Sequence, residues 1–415
     1  MPRLLIITAI AASYFIFAIL LNSVGTVILQ SINSFGVSKP DASTLEGFKD
    51  LSIAAVSFLV ASFIPRVGYK IALLAGLMMV VLGCILTPAI SQFWVFKLLF
   101  AVVGTAFALV KVAVYAIIGQ LSSDTRQHSS LMNTVEGIFM LGVLSGYWIF
   151  SAFIDPENSA DPSWLNVYYL LAAMSAVVML IVAWAPISPP QKNTDGETPL
   201  QSFMAMIRLA YQPLVLIFIF SIFLYVLIEQ GIGSWLPTFN REVLGLPVDI
   251  SIQITSLFAV SLAVGRLTAG AILQKVNWYP FINVCLVGMA LLMTLSLPLA
   301  ERITEGSVQD LADAPIAAYL VPLIGLMMAP IYPVINSVML SALPKVQQAP
   351  MTGLIVVFSA LGGTTGSIIT GLIFDSMGGQ KAFALSLVPI TGLLVTLYLF
   401  KRFSRSSVRA QEVRA

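Results

Sequence analysis

Long apolar runs alternate with short polar breaks along this chain, and the runs have the length of membrane spans. A helix crossing a hydrocarbon core of ~30 Å needs roughly 20 apolar residues. Such runs recur twelve times, at 4–30, 49–65, 70–91, 95–119, 130–153 and 164–185, then at 213–239, 250–273, 279–300, 316–343, 350–374 and 380–402. Breaks rich in proline, glycine or charge separate them, among them PRVGYK, SSDTRQH, DPENSADPS and DSMGGQK. One break differs: PISPPQKNTDGETPLQSFMAMIRLAYQP is the longest polar segment and falls near mid-chain. The pattern predicts an all-α membrane protein of twelve transmembrane helices in two six-helix halves, 1–186 and 213–403. A linker at 187–212 joins them, and a basic tail follows at 404–415.

Charge gives this arrangement a direction. Arg3, Arg66, Lys70, Arg126, Lys192, Arg208, Lys275, Lys345 and the basic tail fall in one set of loops and ends. The opposite set is mostly acidic and includes Asp41, Glu46, Asp50, Asp155, Glu157, Glu301 and Asp310. The positive-inside rule makes the first set cytoplasmic, with both termini, for a multi-pass protein of the inner (plasma) membrane. The halves echo each other: PRVGYKIALLAG is answered by LQKVNWYPFINV, and LLNSVGTVIL by LIEQGIGSWLP. Weak internal symmetry of this kind marks transporters built from repeats, whose substrate sites lie at mid-membrane.

Composition narrows the function. The chain is 58% hydrophobic and 10% charged, against about 25% charged in a soluble domain. A net charge of +2 and the lack of a basic run inside the apolar region give no sign of a nucleic-acid partner. Cys84 and Cys285 lie in apolar runs and read as packed thiols, and His128, the only histidine, cannot anchor a metal alone. The first span is too long for a signal-peptide core and is expected to stay in the protein. With no nucleophile–base pair, metal cluster or GxxxxGK[ST] loop, the chain reads as neither an enzyme nor an ATP-driven pump, and it needs no cofactor.

Ionisable residues at membrane depth are functional candidates because each costs a few kcal/mol there. Lys111 lies about eight residues before its run ends at 119, and Glu136 about eight after the SSDTRQH loop, so both are expected roughly 12 Å from the same face. Two neighbouring antiparallel helices can therefore pair them. Three readings follow: a structural ion pair, a coupling element opened by substrate or proton, or a cationic anchor for an anionic substrate. Burial disfavours the charged form of both groups, so a buried Lys–Glu pair can exchange a proton when access changes. Glu229 lies about 25 Å into its span, just before Gly231, Gly233 and Pro237, which predict a broken helix. There Glu229 and Gln230 can hydrogen-bond hydroxyls while Trp235 stacks on a sugar ring. Alternatively, Glu229 reaches the outer surface beside Arg241.

Six plus six helices, a cytoplasmic linker and basic loops after spans 2 and 8 resemble the major facilitator superfamily. Its loop pattern, roughly GxxxDRxGRR, is matched by Arg66, Gly68 and Lys70, with Ala61 for the first glycine and Pro65 for the Asp. The second half resembles the fucose permease branch of sugar:proton symporters through YVLIEQGIGSWLPTF, VGRLTAGAIL and APIYPVINSV. That branch uses an Asp on span 1 and a Glu on span 4, where this chain has Gly25 and Lys111. The resemblance implies the major facilitator fold, in which spans 1, 4, 7 and 10 line the cavity. It adds Asn22, Asn133 on span 5, and the pair Tyr332 and Asn336, four apart on one helix face, as candidates. Each is equally able to hold helices together. Gly362, Gly363 and Gly366 read as close helix packing or a flexing point, not as a nucleotide loop.

The expected function is secondary active transport by alternating access, by a monomer in the bilayer with protons as the coupling ion. The cargo is a small polar solute, a sugar in the first instance. The alternative is an organic anion carrier or an exporter of drugs or metabolites on the same fold.

Overall fold

Single glycines, serines and prolines set where the helices start and stop. The computed structural model describes residues 2–189, 199–300, 308, 310–343 and 345–412. Helices α1 (Pro2–Asn22), α2 (Val24–Phe35), α3 (Lys39–Val67), α4 (Tyr69–Ile90), α5 (Phe93–Leu121), α6 (Thr125–Ser151) and α7 (Val167–Trp184) build the first half. A short helix, α8 (Pro199–Ala210), lies within the expected linker. The second half contains α9 (Pro213–Gly233), α10 (Leu236–Glu242), α11 (Val248–Ile272), α12 (Trp278–Ser296), α13 (Ile316–Met328), α14 (Ile331–Ala342), α15 (Lys345–Met377), α16 (Gly379–Ala384) and α17 (Leu387–Glu412). The chain divides into two compact units. Unit 1 is Met1–Pro199 with Pro247–Ser256, and unit 2 is Leu200–Leu246 with Leu257–Ala415. The start of α11 thus belongs to unit 1, where Gln253 Nε2 donates to Ser151 Oγ at 2.7 Å.

Among the described residues, eleven helices are long and apolar enough to cross a membrane. Helix α3 covers the remaining expected span, and its 29 residues extend roughly 43 Å at 1.5 Å per residue. This helix corrects one expectation. Glu46 and Asp50, read as part of an acidic outer loop, lie inside α3, as does Lys49, and all three are buried. The loop is shorter than its polarity suggests. Gly36 takes a left-handed φ of 61° to end α2, and Ser38 Oγ accepts from the Asp41 amide to start α3. Three residues suffice for the turn, so the helix begins ten residues before the apolar run.

The joint between α3 and α4 is a single residue, Gly68, at φ 103°, a conformation open only to glycine. At the other end of the chain α17 continues through Glu412. The tail expected beyond 403 is therefore helical as far as that residue.

Four predicted spans are interrupted among the described residues. The first breaks at Ser23, between α1 and α2; the seventh at Ser234–Trp235, between α9 and α10; the tenth at Ala329–Pro330, between α13 and α14; the twelfth at Leu385–Ser386, between α16 and α17. The first two breaks fall in the LLNSVGTVIL and LIEQGIGSWLP segments whose likeness is visible in the sequence. A break in a membrane helix leaves backbone groups without water, so protein must satisfy them. At the end of α1 this is done by side chains: Asn22 Nδ2 donates to Ala18 O at 2.9 Å, Ser23 Oγ to Leu20 O at 2.8 Å, and Lys49 Nζ to Leu21 O at 3.5 Å.

Basic residues also close helix ends in unit 1. Arg3 Nη2 donates to Leu121 O at 3.2 Å and Lys70 Nζ to Ala185 O at 3.0 Å. Cations at carbonyl-rich helix termini are favourable by a few tenths to about 1 kcal/mol.

Missing side chains let helices close tightly. In unit 2, a Cβ on Gly362 would meet Phe223 O at 2.4 Å, and one on Gly366 would meet Leu227 O at 2.2 Å. α15 therefore lies against the backbone of α9, as small residues permit in membranes. In unit 1, Gly104 on α5 lies against Lys49 O in the same way, a Cβ there reaching 2.3 Å. Gly366→Val should lower stability by about 3 kcal/mol or more through overpacking. A thermal unfolding series in detergent checks this, and an unchanged midpoint would refute the close approach.

Candidate substrate and coupling sites

Each unit carries one cluster in which charged, phenolic and aromatic groups meet inside the apolar bundle. In unit 2 the cluster begins on α9, where Tyr225 and Glu229 are one helical turn apart. Tyr225 is buried, and its hydroxyl donates to Glu229 Oε1 at 3.3 Å. Its ring lies 5.5 Å from that of Tyr332, on α14. Tyr332 shares a hydrogen bond of 3.1 Å with Ser359 Oγ of α15. Asn336, one turn further along α14, lies against the Tyr332 hydroxyl. The buried Oδ1 of Asn336 finds no hydrogen-bond partner. Arg266 of α11 acts electrostatically on both phenols. A carboxylate, an amide, two phenols and a guanidinium thus surround one place, and an open acceptor faces no protein donor. An unsatisfied buried acceptor costs about 1–3 kcal/mol, which a hydroxylated ligand or water can recover.

Unit 1 has a counterpart. Lys111 on α5 is exposed, with Nζ 5.8 Å from the ring centres of both Phe107 and Tyr115. The Tyr115 hydroxyl donates to Glu136 Oε1 of α6 at 3.0 Å. Tyr14 of α1 stacks near Tyr115, Phe107 and Phe139, with ring centres 6.4, 6.0 and 5.8 Å away. The buried Tyr14 hydroxyl has no partner within hydrogen-bond distance.

Several expectations change here. Lys111 and Glu136 lie close enough to act on each other electrostatically, but they form no ion pair within 4.0 Å. Tyr115 intervenes: its hydroxyl takes the carboxylate while its ring face takes the ammonium. The two residues lie near each other, and an aromatic one turn along α5 determines the contact.

Trp235 is not a stacking surface for a sugar. It is fully buried, its Nε1 donates to Ser367 O at 3.0 Å, and its ring packs 5.5 Å from Phe374. The helix break turns its indole into the bundle, against α15. Gln230 is half-buried, and its Oε1 accepts from Ser234 Oγ at 3.3 Å, closing the end of α9. Asn22 likewise caps its own helix. Asn133 is exposed on α6, one turn before Glu136. Glu229, Tyr332 and Asn336 do come together, with Tyr225 and Arg266 added. Tyr225 could have been found four residues before Glu229. Arg266 sits in the VGRLTAG segment, where it reads as motif before it reads as a charge at membrane depth.

A third charged group lies in unit 1. Lys49 hydrogen-bonds Glu46 and lies 3.4 Å from Asp50 Oδ1, all three on one stretch of α3. Its residues are 6%, 0% and 9% exposed respectively.

Comparison with known proteins agrees with this architecture. The chain is 25% identical over 344 residues to a glucose/galactose transporter of Brucella abortus, covering 80% of this chain and 79% of the relative. Its fold resembles the nucleoside transporter NupG, with TM-score 0.75 and 15% identity over 96% of this chain and all of that one. It also resembles the E. coli fucose:proton symporter FucP, with TM-score 0.60 and 17% identity over 97% of this chain and 99% of that one. At such identities the two structures establish the fold. Residues 10–320 match the model of the Major Facilitator Superfamily, and the chain belongs to this family of membrane transporters.

Proposed function

We propose that the protein carries a neutral sugar across the inner membrane by alternating access, driven by protons, with both termini in the cytoplasm. The observation that carries this reading is the unit 2 cluster. Glu229, Asn336 and Tyr332 offer acceptors and donors for hydroxyl groups, and the unpartnered Asn336 Oδ1 gives a substrate hydroxyl a bond that the chain itself does not make. The half-buried ring of Tyr332, backed by the buried Tyr225, supplies the apolar face that the C–H side of a pyranose needs, in the place first assigned to Trp235. The glucose/galactose relative from Brucella supports the same class of cargo.

Lys111, Tyr115 and Glu136 give unit 1 a polar surface of its own, with an ammonium held by ring faces. This arrangement supports substrate contact and coupling better than a static ion pair does. It also favours a second reading, an organic anion carrier, because Lys111 and Arg266 are both exposed cations at membrane depth.

The two readings separate in proteoliposomes. An imposed proton gradient should accumulate D-galactose and leave D-galacturonate outside. Uptake of the sugar acid alone would transfer Lys111 and Arg266 to substrate binding and remove the neutral-sugar reading. Glu229→Ala should weaken galactose binding by about 2 kcal/mol, the worth of a hydrogen bond to a charged group. That is roughly 30-fold in Kd, measurable by calorimetry on folded protein. Lys111→Gln should leave galactose affinity within about threefold, a change under 1 kcal/mol, and slow transport. Loss of galactose binding in this variant would place the ammonium on the sugar.

A further inference from the structure

We propose that a groove in unit 1, between α1, α6 and α7, is a binding site for one membrane phospholipid, with an acyl chain lying along the groove and the phosphate on Arg3. The site concerns how the bundle meets its bilayer and stands apart from the choice of cargo. All three helices are long and apolar enough to be spans. Between them lies a cavity of about 610 Å³, lined by apolar residues apart from Thr8. Ligand sites commonly enclose roughly 300–1,000 Å³. The groove originates in the size of single residues. At Gly142, α6 presses on the backbone of α1, since a Cβ there would meet Phe15 O at 2.6 Å. One turn earlier α6 carries Ile138, where no glycine permits that approach. The facing positions Ala11 and Ala12 of α1 and Ala173 of α7 are too small to fill the space that results.

Shape and charge select the occupant. An empty apolar cavity forfeits contacts along its whole wall, and water needs several polar partners that this wall does not offer. Thr8, Ala173 and Val177 are exposed, so the groove opens sideways and a chain can enter from the bilayer. From Ile7 to Ile16 it follows α1 for about 14 Å at ~1.5 Å per residue. That is close to half of a ~30 Å hydrocarbon core, the depth of one leaflet. The headgroup end is marked as well. Arg3 is exposed one helical turn before Ile7. Its Nη2 donates to Leu121 O, which fixes the guanidinium at this end of the groove. The remaining N–H groups can grip a phosphate, for which the planar fork of arginine is suited. Lipid tails are as apolar as the groove itself, so burial alone gives no preference. Preference for one lipid comes from the fit of the chain together with the Arg3–phosphate contact.

Native mass spectrometry on the purified full chain, delipidated in detergent and titrated with phosphatidylglycerol, tests this without any transport substrate. The wild type should hold a first phosphatidylglycerol more tightly than further copies. Monoolein, which has an acyl chain and no phosphate, should bind about tenfold more weakly. Ala173→Phe fills the groove from its exposed wall and should weaken the first lipid by about tenfold. Leu180→Phe, at an exposed position of α7 outside the groove, should leave it unchanged. Arg3→Gln should weaken phosphatidylglycerol to the level of monoolein. Thermal midpoints establish that each variant is folded, and Val177→Trp, on the same exposed wall, replaces Ala173→Phe if that variant is not. A wild type with no preferred first lipid, full binding in the filled groove, or equal loss in Leu180→Phe overturns the site. Monoolein binding as tightly as phosphatidylglycerol, or Arg3→Gln without effect, overturns the assignment of a phospholipid.

Discussion

A backbone carbonyl inside a bilayer has no water to turn to, and this protein breaks four of its predicted spans. The rest of the structure is organised around that constraint. Where α1 stops, Asn22, Ser23 and Lys49 take up the released carbonyls. Where α9 stops, Ser234 and Gln230 bond to each other and Trp235 anchors to Ser367. Polar side chains at membrane depth are therefore divided between two tasks. Some hold a broken backbone in place, and others gather in a cluster. Asn22, Gln230 and Trp235 belong to the first group, Glu229, Tyr332 and Asn336 to the second, the cluster proposed above as the sugar site.

The two clusters share a plan. In each, a tyrosine one helical turn from a charged residue on the same helix engages a carboxylate: Tyr225 with Glu229 in unit 2, Tyr115 beside Lys111 in unit 1. A second phenol from another helix packs against the first, Tyr332 in one case and Tyr14 in the other. Phenols suit such places because an apolar body can pack while the hydroxyl remains a hydrogen-bonding group. Each carboxylate thus accepts from a neutral phenol hydroxyl.

The sequence reading recovers the architecture because membrane-spanning length is a strong signal, and twelve apolar runs leave little choice of fold. The broken seventh span was legible from Gly231, Gly233 and Pro237. The loop before α3 was not. Lys49, Asp50 and Glu46 lie next to polar residues in sequence, and only the three-residue turn at Gly36–Ser38 carries them into the bundle. Trp235 failed for a related reason: proximity to a helix break says that a side chain changes direction, not which way it turns. The spacing in sequence anticipates that Lys111 and Glu136 come near each other, while the intervening Tyr115 depends on packing that no spacing rule contains.

The slot at Gly104 has a meaning for how such a protein can vary over generations. Its empty Cβ position is filled by the carbonyl of Lys49, so residue 104 sets the position of a charge that belongs to another helix. Adding one methyl group at 104 changes no charge and removes no polar atom. It nevertheless displaces α3, and with it the ammonium, its two carboxylates and the tie to Leu21. Positions 46, 49, 50 and 104 are for that reason one heritable unit, in which an apparently silent change of size is an electrical change.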